Sequence, residues 1–181
     1  MVAPPMMRTV WIGAALAAAG LLVGLALHGE RPDPAGLARF EAAGVMLAIE
    51  PTRVTVVEVR RADARWRFRP APDGAWAAEG AGSAGARAGT AVTEGLRFLH
   101  ASAPQRVLDR SEVGGIPMSE YGLEPPGYVV TVEGPGTLFT VEFGAVNPQG
   151  LAQYARVAGR DEIFLLPRFV GRSWETAIGI P

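Results

Sequence analysis

The longest apolar stretch of the chain runs from Thr9 to Leu27 and contains no ionisable side chain. At about 1.5 Å per helical residue, such a helix spans the roughly 30 Å hydrocarbon core of a bilayer. The pattern predicts a transmembrane anchor over residues 9–28 and a cytoplasmic N-terminus over residues 1–8. A cleaved signal peptide is the alternative, although the run is long for a signal core and Ala26-Leu27-His28-Gly29 lacks a small-x-small cleavage site.

The rest of the chain divides into a short connecting segment and one domain. Residues 29–44 are predicted to form a stalk, in which Asp33-Pro34 can begin a short helix. From Val45 onward β-branched and aromatic residues alternate with polar ones, and glycine and proline recur between the alternating runs. This pattern predicts one extracytoplasmic α+β domain over residues 45–175, followed by a tail over residues 176–181.

The clearest strand pattern lies at Ala64–Arg69, where Trp66 and Phe68 point to one face and the intervening arginines point to the other. Arg53–Arg60 precedes this strand across the short loop Arg61-Ala62-Asp63, and this spacing predicts an antiparallel hairpin. One face of the hairpin can pack on a core while the other stays in water.

Further strands follow from the same alternation and from glycine-rich turns between the runs. The predicted strands are Gln105–Asp109, Tyr128–Glu133, Thr137–Phe143, Tyr154–Val157 and Glu162–Leu166. The last four form two hairpins, and sequential hairpins favour antiparallel pairing.

One helix of the domain is predicted at Thr90–Ala101, where apolar residues recur every three or four positions behind Thr90 as an N-cap. A single turn at Pro117–Tyr121 and a short C-terminal helix near Phe169–Trp174 complete the pattern. The fold class is therefore α+β: a mainly antiparallel sheet of hairpins with one packed helix, preceded by a single N-terminal transmembrane helix.

Composition narrows the chemistry that the chain can perform. There is no cysteine and no lysine, which excludes disulfides, thiolate nucleophiles, zinc-thiolate sites and Schiff bases. The 17 basic residues, all arginine, nearly balance 18 acidic ones, so net charge gives no basis for nucleic-acid binding. Only His28 and His100 carry imidazoles, and no catalytic constellation, metal site or cofactor is predicted.

A glycine-rich motif, Gly80-Ala81-Gly82-Ser83-Ala84-Gly85, matches the G-x-G-x-x-G pattern of dinucleotide-binding folds. Such a site needs a buried apolar strand that runs directly into the first glycine. Trp76-Ala77-Ala78-Glu79 precedes the motif instead, and the neighbouring strands are hairpins. We therefore interpret the motif as a loop and expect no nucleotide partner.

A group of arginines on the first hairpin is the candidate for partner binding, because guanidinium groups can bind carboxylates or phosphates in pairs of hydrogen bonds. The group consists of Arg60, Arg61, Arg65, Arg67 and Arg69. The alternative is a solvated sheet face, or one whose arginines pair with Glu133 and Glu142 on a neighbouring strand.

Four segments share a pattern with a known family. They are the strand with Trp66 and Phe68, the helix with Leu96 and Leu99, the motif Tyr121-Gly122-Leu123-Glu124-Pro125-Pro126, and Phe143-Gly144 followed by Tyr154-Ala155-Arg156 and Ile163-Phe164-Leu165-Leu166-Pro167. On these segments the chain resembles the bacterial family called DUF 4340, whose members are typically membrane-anchored envelope proteins. The resemblance implies an uncharacterised extracytoplasmic module, associated in some relatives with auxiliary parts of ABC transporters, and it brings no catalytic residue.

We assign a structural role to the motif residues Tyr121, Gly122, Leu123, Pro125, Tyr154 and Arg156. Gly122 can adopt a positive φ, Tyr121 and Leu123 can close the end of the sheet, and the prolines favour an extended start to the next strand. A packed corner is preferred here to a binding motif.

These observations favour a single-pass protein of the inner membrane whose C-terminal domain lies in the periplasm or an equivalent space. We expect a non-enzymatic interaction or scaffold module, with other envelope proteins as partners. The alternative is a ligand-binding or hydrolytic domain that acts on cell-wall or polysaccharide material through a carboxylate-lined cleft.

Overall fold

An antiparallel sheet of eight strands forms the centre of the computed structural model, which describes residues 43–79 and 86–180. The strands are β1 Val56–Arg61, β2 Ala64–Pro70, β3 Trp76–Glu79, β4 Arg106–Leu108, β5 Tyr128–Gly134, β6 Thr137–Val146, β7 Ala152–Val157 and β8 Ile163–Pro167. Across the sheet they follow the order β3-β2-β1-β5-β6-β7-β8-β4. The helices are α1 Ala86–Ala101, α2 Arg110–Val113 and α3 Arg168–Ala177. The predicted α+β class with an antiparallel sheet is confirmed.

All three predicted hairpins form, with small shifts in their bounds. The first begins at Val56 instead of Arg53, because Pro51–Arg53 forms a 3-10 turn in which proline occupies the first position. Its loop is the two residues Ala62 and Asp63, since Arg61 still pairs with Ala64. This difference of one residue changes which side chains face each other across the strands.

The prediction of a single packed helix is wrong, because α3 packs against the sheet and against α1 as well. Trp174 of α3 is completely buried, and it belongs to the same core as Val92 and Leu96 of α1. Ala177 and Ile178 are also buried, so residues of the predicted tail contribute to the core. The residues of α3 are polar on average, so the sequence alone gives little indication that this helix packs in the core.

The helix α1 begins at Ala86, one turn before the predicted N-cap at Thr90. Ala88 and Ala91 are buried and extend the apolar stripe of Val92 and Leu96 towards the N-terminus. Small alanines are weak hydrophobic signals, but they allow a helix to lie close to a sheet and are the best helix formers.

The two faces of the sheet are covered differently. Both long helices lie on one face, where Val59, Phe68, Val130 and Phe143 are fully buried. On the other face, the segment between β4 and β5 covers only the part near β7 and β8, where it forms a small second cluster. That cluster contains Val113, Leu123 and Ile163, with Leu108, Met118, Tyr121 and Tyr154 packed against it. The remainder of this face is uncovered by described residues.

The predicted transmembrane helix lies outside the described residues, as do residues 1–8 and nearly all of the predicted stalk. Within residues 43–79 and 86–180, no helix combines the length and the apolar character needed to cross a bilayer. The anchor over residues 9–28 therefore stays a prediction. The described residues all belong to one compact unit.

The glycine-rich motif at residues 80–85 also lies outside the described residues. The elements on either side of it do not form a βαβ unit. Strand β3 is an edge strand antiparallel to β2, and α1 leads from there to β4 at the opposite edge of the sheet. A dinucleotide site of the doubly wound type needs two parallel neighbouring strands joined by the helix.

Candidate interaction surface

The uncovered part of the sheet, which we call the open face, is formed by the outward residues of β3, β2, β1, β5 and β6, together with Arg156 of β7. Its side chains are mainly charged and contact one another across the strands. We call the following set the charge ladder: Glu58, Arg60, Arg65, Arg67, Arg69, Glu79 and Glu133. The ladder arises because the polar half of the period-two pattern in β1 and β2 points away from the helices.

Glu58 is the central carboxylate of the charge ladder. Its Oε1 lies 3.4 Å from Nε of Arg65 and 3.7 Å from Nε of Arg60, and its Oε2 lies 3.9 Å from Nη1 of Arg67. The Glu58 side chain is only 15% exposed, whereas that of Arg65 is 62% exposed. The arginines therefore cover the carboxylate and present their outer nitrogens to solvent.

Arg67 links this centre to the two sides of the ladder. Its guanidinium lies 3.3 Å from Glu79 on the edge strand β3 and 4.0 Å from Glu133 on β5. Arg69 forms a further ion pair with Glu79. Each of these four outward arginines is therefore already bonded to a carboxylate of the same chain.

The structure brings together four of the five arginines that the sequence predicts as a binding group. Arg61 is the exception: it lies opposite Ala64 at the end of β1, where the alternation of the strand directs it to the other face. Glu133 is a partner as predicted, but Glu142 pairs with Arg156 instead. This arrangement corresponds to the alternative interpretation, in which the arginines pair with carboxylates of neighbouring strands.

Glu58 and Glu79 complete the ladder, although the sequence prediction names only Glu133 and Glu142 as cross-strand partners. A two-residue turn places Glu58 directly opposite Arg67, whereas the predicted three-residue loop shifts the pairing by one position. A turn of two residues, if recognised in the sequence, would have predicted that Glu58 lies opposite Arg67. Glu79 could be predicted as an ion-pair partner only if Trp76–Glu79 were recognised as a strand that pairs with β2.

The open face continues beyond the ladder with a separate ion pair and two hydroxyl groups. Nε and Nη2 of Arg156 lie 2.8 Å and 2.7 Å from Oε2 of Glu142 across β6 and β7. Between the two charged regions, the hydroxyl groups of Thr131 and Thr140 lie 3.4 Å apart. The open face thus presents donors and acceptors whose positions are held by their neighbours.

The motif residues of the family resemblance meet at one corner of the sheet. Gly122 has φ +65°, and a Cβ atom there would lie 2.6 Å from the backbone nitrogen of Ala145. Tyr121 contacts Tyr154 edge to face with ring centroids 5.1 Å apart, and Leu123 is fully buried. Only glycine fits this conformation and this close approach. The turn therefore acts as a packed corner.

The prolines of this motif form a tight turn instead of the extended start that the sequence suggests. The Glu124–Pro125 peptide bond is cis, and Leu123 and Pro126 form a β-bridge. Arg156, the last motif residue, lies on the open face in its pair with Glu142.

The covering segment begins at a well-capped short helix. The Asp109 side chain accepts hydrogen bonds from the backbone N–H of Ser111 and Glu112 and from the Ser111 hydroxyl. The Ser111 hydroxyl, followed by the backbone N–H groups of Glu112 and Ser111, lowers the pKa of the Asp109 carboxyl below its ordinary value. Arg106 forms an ion pair with Glu112 on the same segment.

A buried polar group lies on the opposite face, beneath α3. The Tyr128 hydroxyl donates to the Gly171 carbonyl at 3.0 Å, and Arg168 donates to Gln153 at 3.2 Å. Burial, together with the negative charge of Glu175, raises the pKa of Tyr128 well above its ordinary value. These bonds attach α3 to β5 and β7, and none of the groups reaches the open face.

Two concave regions border the domain. A groove of about 450 Å³ lies between β3 and α1 and is lined by Trp76, Thr93, Glu94 and Arg97, among others. A cleft of about 380 Å³ lies at the end of the sheet where the described chain begins. Among the described residues, no three His, Asp or Glu side chains are placed to hold a metal ion.

Comparisons with protein-family models, with curated proteins and with solved structures give no match. The resemblance to DUF 4340 therefore stays a prediction, and the function has to be argued from the surface itself.

Proposed function

We propose that the chain is a membrane-anchored extracytoplasmic interaction module that binds another envelope protein through the open face of its sheet. In this proposal residues 9–28 span the inner membrane and the α+β domain stands on the periplasmic side. The role as an accessory to an envelope assembly or to an ABC-transporter-type assembly follows from the family resemblance alone.

The observation that carries the proposal is the charge ladder. Four arginines and three glutamates form a connected network of ion pairs on the uncovered face of the sheet. A partner that binds such a surface does not have to immobilise long side chains, because their rotamer freedom is already reduced. Mixed charges of fixed geometry also favour one complementary partner over others.

The size of the open face indicates what kind of complex it can form. Five strands about 4.8 Å apart and about seven residues long give a projected area of about 450 Å². A stable interface usually buries about 800 Å² on each partner. We propose a weak, exchangeable complex on this face, in which a shared membrane raises the effective concentration of both proteins.

Charge reversal with a matched control tests the proposal. The variant Arg65→Glu/Arg69→Glu changes two exposed arginines of the charge ladder, and Arg87→Glu/Arg172→Glu changes two exposed arginines on the helices by the same total charge. Cells that produce each full-length variant are cross-linked, and the captured envelope proteins are quantified by mass spectrometry. We expect the ladder variant to lose a set of partners that the helix variant retains.

Circular dichroism and thermal unfolding check that both variants fold. Equal recovery of partners from the two folded variants would overturn the assignment of the open face. The anchor is tested separately: the full-length chain should remain in the membrane pellet after an alkaline wash, and its release into the supernatant would contradict the anchored arrangement.

The groove between β3 and α1 favours a second candidate function, the binding of cell-wall or polysaccharide fragments. It combines an aromatic ring, Trp76, with the hydroxyl group of Thr93 and the charged groups Glu94 and Arg97. Its described lining contains one carboxylate, Glu94, whereas glycoside hydrolysis generally uses two. Titration calorimetry with muropeptides and oligosaccharides tests this candidate, and heat that disappears in Glu94→Gln would support it.

A further inference from the structure

The cleft at one end of the sheet combines a concave apolar lining with two exposed leucines. Its lining includes Ile49, Phe139 and Val157, and it is bordered by Leu47 and Leu138, which are 52% and 68% exposed. Arg160 lies at the same rim, with its guanidinium 5.7 Å from the ring of Phe164. Exposed aliphatic side chains that border an apolar cleft can form a contact surface for a partner or a membrane.

The position of the cleft along the chain indicates what covers it. The described chain begins at Ala43, and the next six residues form one wall of the cleft. Residues 29–42 separate this wall from the predicted transmembrane helix, and they can span at most about 50 Å when fully extended. The wall of the cleft is therefore the part of the described domain that lies nearest in sequence to the predicted anchor.

We propose that this cleft end docks on the lipid surface, with Leu47 and Leu138 inserted among the headgroups and upper acyl chains. The inference rests on the proposed membrane anchor. Apolar side chains that enter the membrane interface bind it in proportion to the apolar area that they bury. Docking would stand the strands upright on the bilayer, and the open face would then point sideways towards a partner in the same membrane.

The charges around the cleft predict how far docking depends on anionic lipids. Arg53 and Arg160 are offset by Glu50 and by Asp161, which follows Arg160 in its turn. The net attraction to anionic headgroups is therefore small, and insertion depends on the leucines. Docking should occur on phosphatidylcholine bilayers and should change little when phosphatidylglycerol or salt is added.

The chain offers a sharp test because it contains no cysteine, so a single introduced cysteine takes a label at one position only. The variants are Leu47→Cys and Leu138→Cys at the cleft, with Leu151→Cys as the matched control. Leu151 is as exposed as Leu138, at 68%, but it lies beyond the other end of β6. Ten residues of β6 place these two ends about 30 Å apart.

Each full-length variant is labelled with an environment-sensitive fluorophore and reconstituted in phosphatidylcholine vesicles, with and without phosphatidylglycerol. Quenching is measured with a doxyl group on the lipid chains and with iodide in the water. We expect lipid quenching at residues 47 and 138 to exceed that at residue 151 several-fold, and iodide quenching to show the reverse order. Ala48→Cys, at another exposed position of the same wall, repeats the measurement.

Three outcomes would overturn the docking. Equal lipid quenching at all positions means that the cleft end is not preferred, and strong iodide quenching at residues 47 and 138 means that it faces water. Labels shielded from both quenchers indicate a second copy of the chain in the cleft. Flotation of the vesicles tests the membrane anchor separately from the docking. A chain that floats but whose labels are not quenched by the lipid-bound doxyl group refutes the docking alone. A chain that does not float refutes both the anchor and the docking.

Discussion

The two faces of the sheet are built from alternate residues of the same strands, yet different forces hold them. On the helix side Phe68, Val130 and Trp174 are fully buried and belong to one apolar core. On the open face Glu58 and Arg67 keep partial contact with water and interact through charge. Apolar burial contributes several kcal/mol for each large side chain, whereas exposed ion pairs contribute about 1 kcal/mol or less.

This difference indicates that the helix side stabilises the fold, whereas residues of the open face can bind a partner without a large effect on stability. Substitutions on the helix side change the core that every strand shares. Substitutions on the open face remove contacts that stabilise little but that determine the pattern of charge presented to a partner. The predictions below test this contrast, beginning with the largest expected effect.

Removal of the Trp174 side chain should give the largest loss of stability. Trp174→Ala leaves a large cavity between α3 and α1 and should cost about 3–5 kcal/mol in the free energy of unfolding, measured by urea denaturation. Trp174→Phe is the matched control. Its cost should be much smaller, because the buried indole N–H of Trp174 has no hydrogen-bond partner among the described residues. Equal costs for the two variants would contradict this account of the core.

Gly171→Ala should also destabilise the helix side. A Cβ atom at Gly171 would lie 1.9 Å from Oε1 of Gln153 and 2.9 Å from the Tyr128 hydroxyl, so either the Gln153 side chain would have to give up its hydrogen bonds with Gly144 and Arg168 or α3 would have to move. Overpacking of this kind costs about 1–3 kcal/mol. The exposed neighbour Arg172→Ala should change the free energy of unfolding by less than about 0.5 kcal/mol. A neutral Gly171→Ala would show that the contact between Gly171 and Gln153 does not constrain the helix side.

Glu58→Gln should have a modest effect on stability, although it removes the central carboxylate of the charge ladder. We expect a loss of about 1 kcal/mol, because the three arginines around Glu58 remain partly hydrated. The loss should shrink in high salt, which already screens these pairs. Glu120→Gln, at an exposed turn position, is the control. A loss above about 3 kcal/mol would place the open face among the main stabilising elements.

Ionisation of Tyr128 should have the smallest effect on the free energy of unfolding near neutral pH and should lower it measurably in alkali. Its pKa in the folded state is raised by burial, so the unfolded state releases this proton more readily. The stability that Tyr128 contributes is therefore complete below a pH of about 10 and declines above it. Tyrosinate absorbance should show a late component that coincides with unfolding and is missing in Tyr128→Phe. Ionisation of Tyr128 in the folded protein would contradict its burial.

The local elements of this fold could be predicted because their signals are local. The alternation of Ala64–Arg69 assigns Trp66 and Phe68 to the core side, and turn residues separate the strands of each hairpin. The corner at Gly122 could be predicted from the conformational freedom of glycine beside apolar neighbours. At these positions the conformation that the local sequence favours is the one that the folded domain adopts.

The long-range arrangement could not be predicted in the same way. Strand β4 follows α1 but lies at the opposite edge of the sheet beside β8, and no local pattern specifies this crossing. The packing of α3 depends on Gly171 and Trp174 fitting against other elements. The partners of the arginines depend on a register that one turn residue changes. Packing and register are properties of the whole sheet, and a single sequence reports them only weakly.

The central claim is that the open face is where this module contacts its envelope partner. The most direct measurement places a photoactivatable cross-linking amino acid at position 65 on the open face and, separately, at position 87 on α1, in full-length protein produced in cells. We predict adducts with a defined envelope protein from position 65 and none from position 87. Adducts from position 87 alone, or the same adducts from both positions, would contradict the claim.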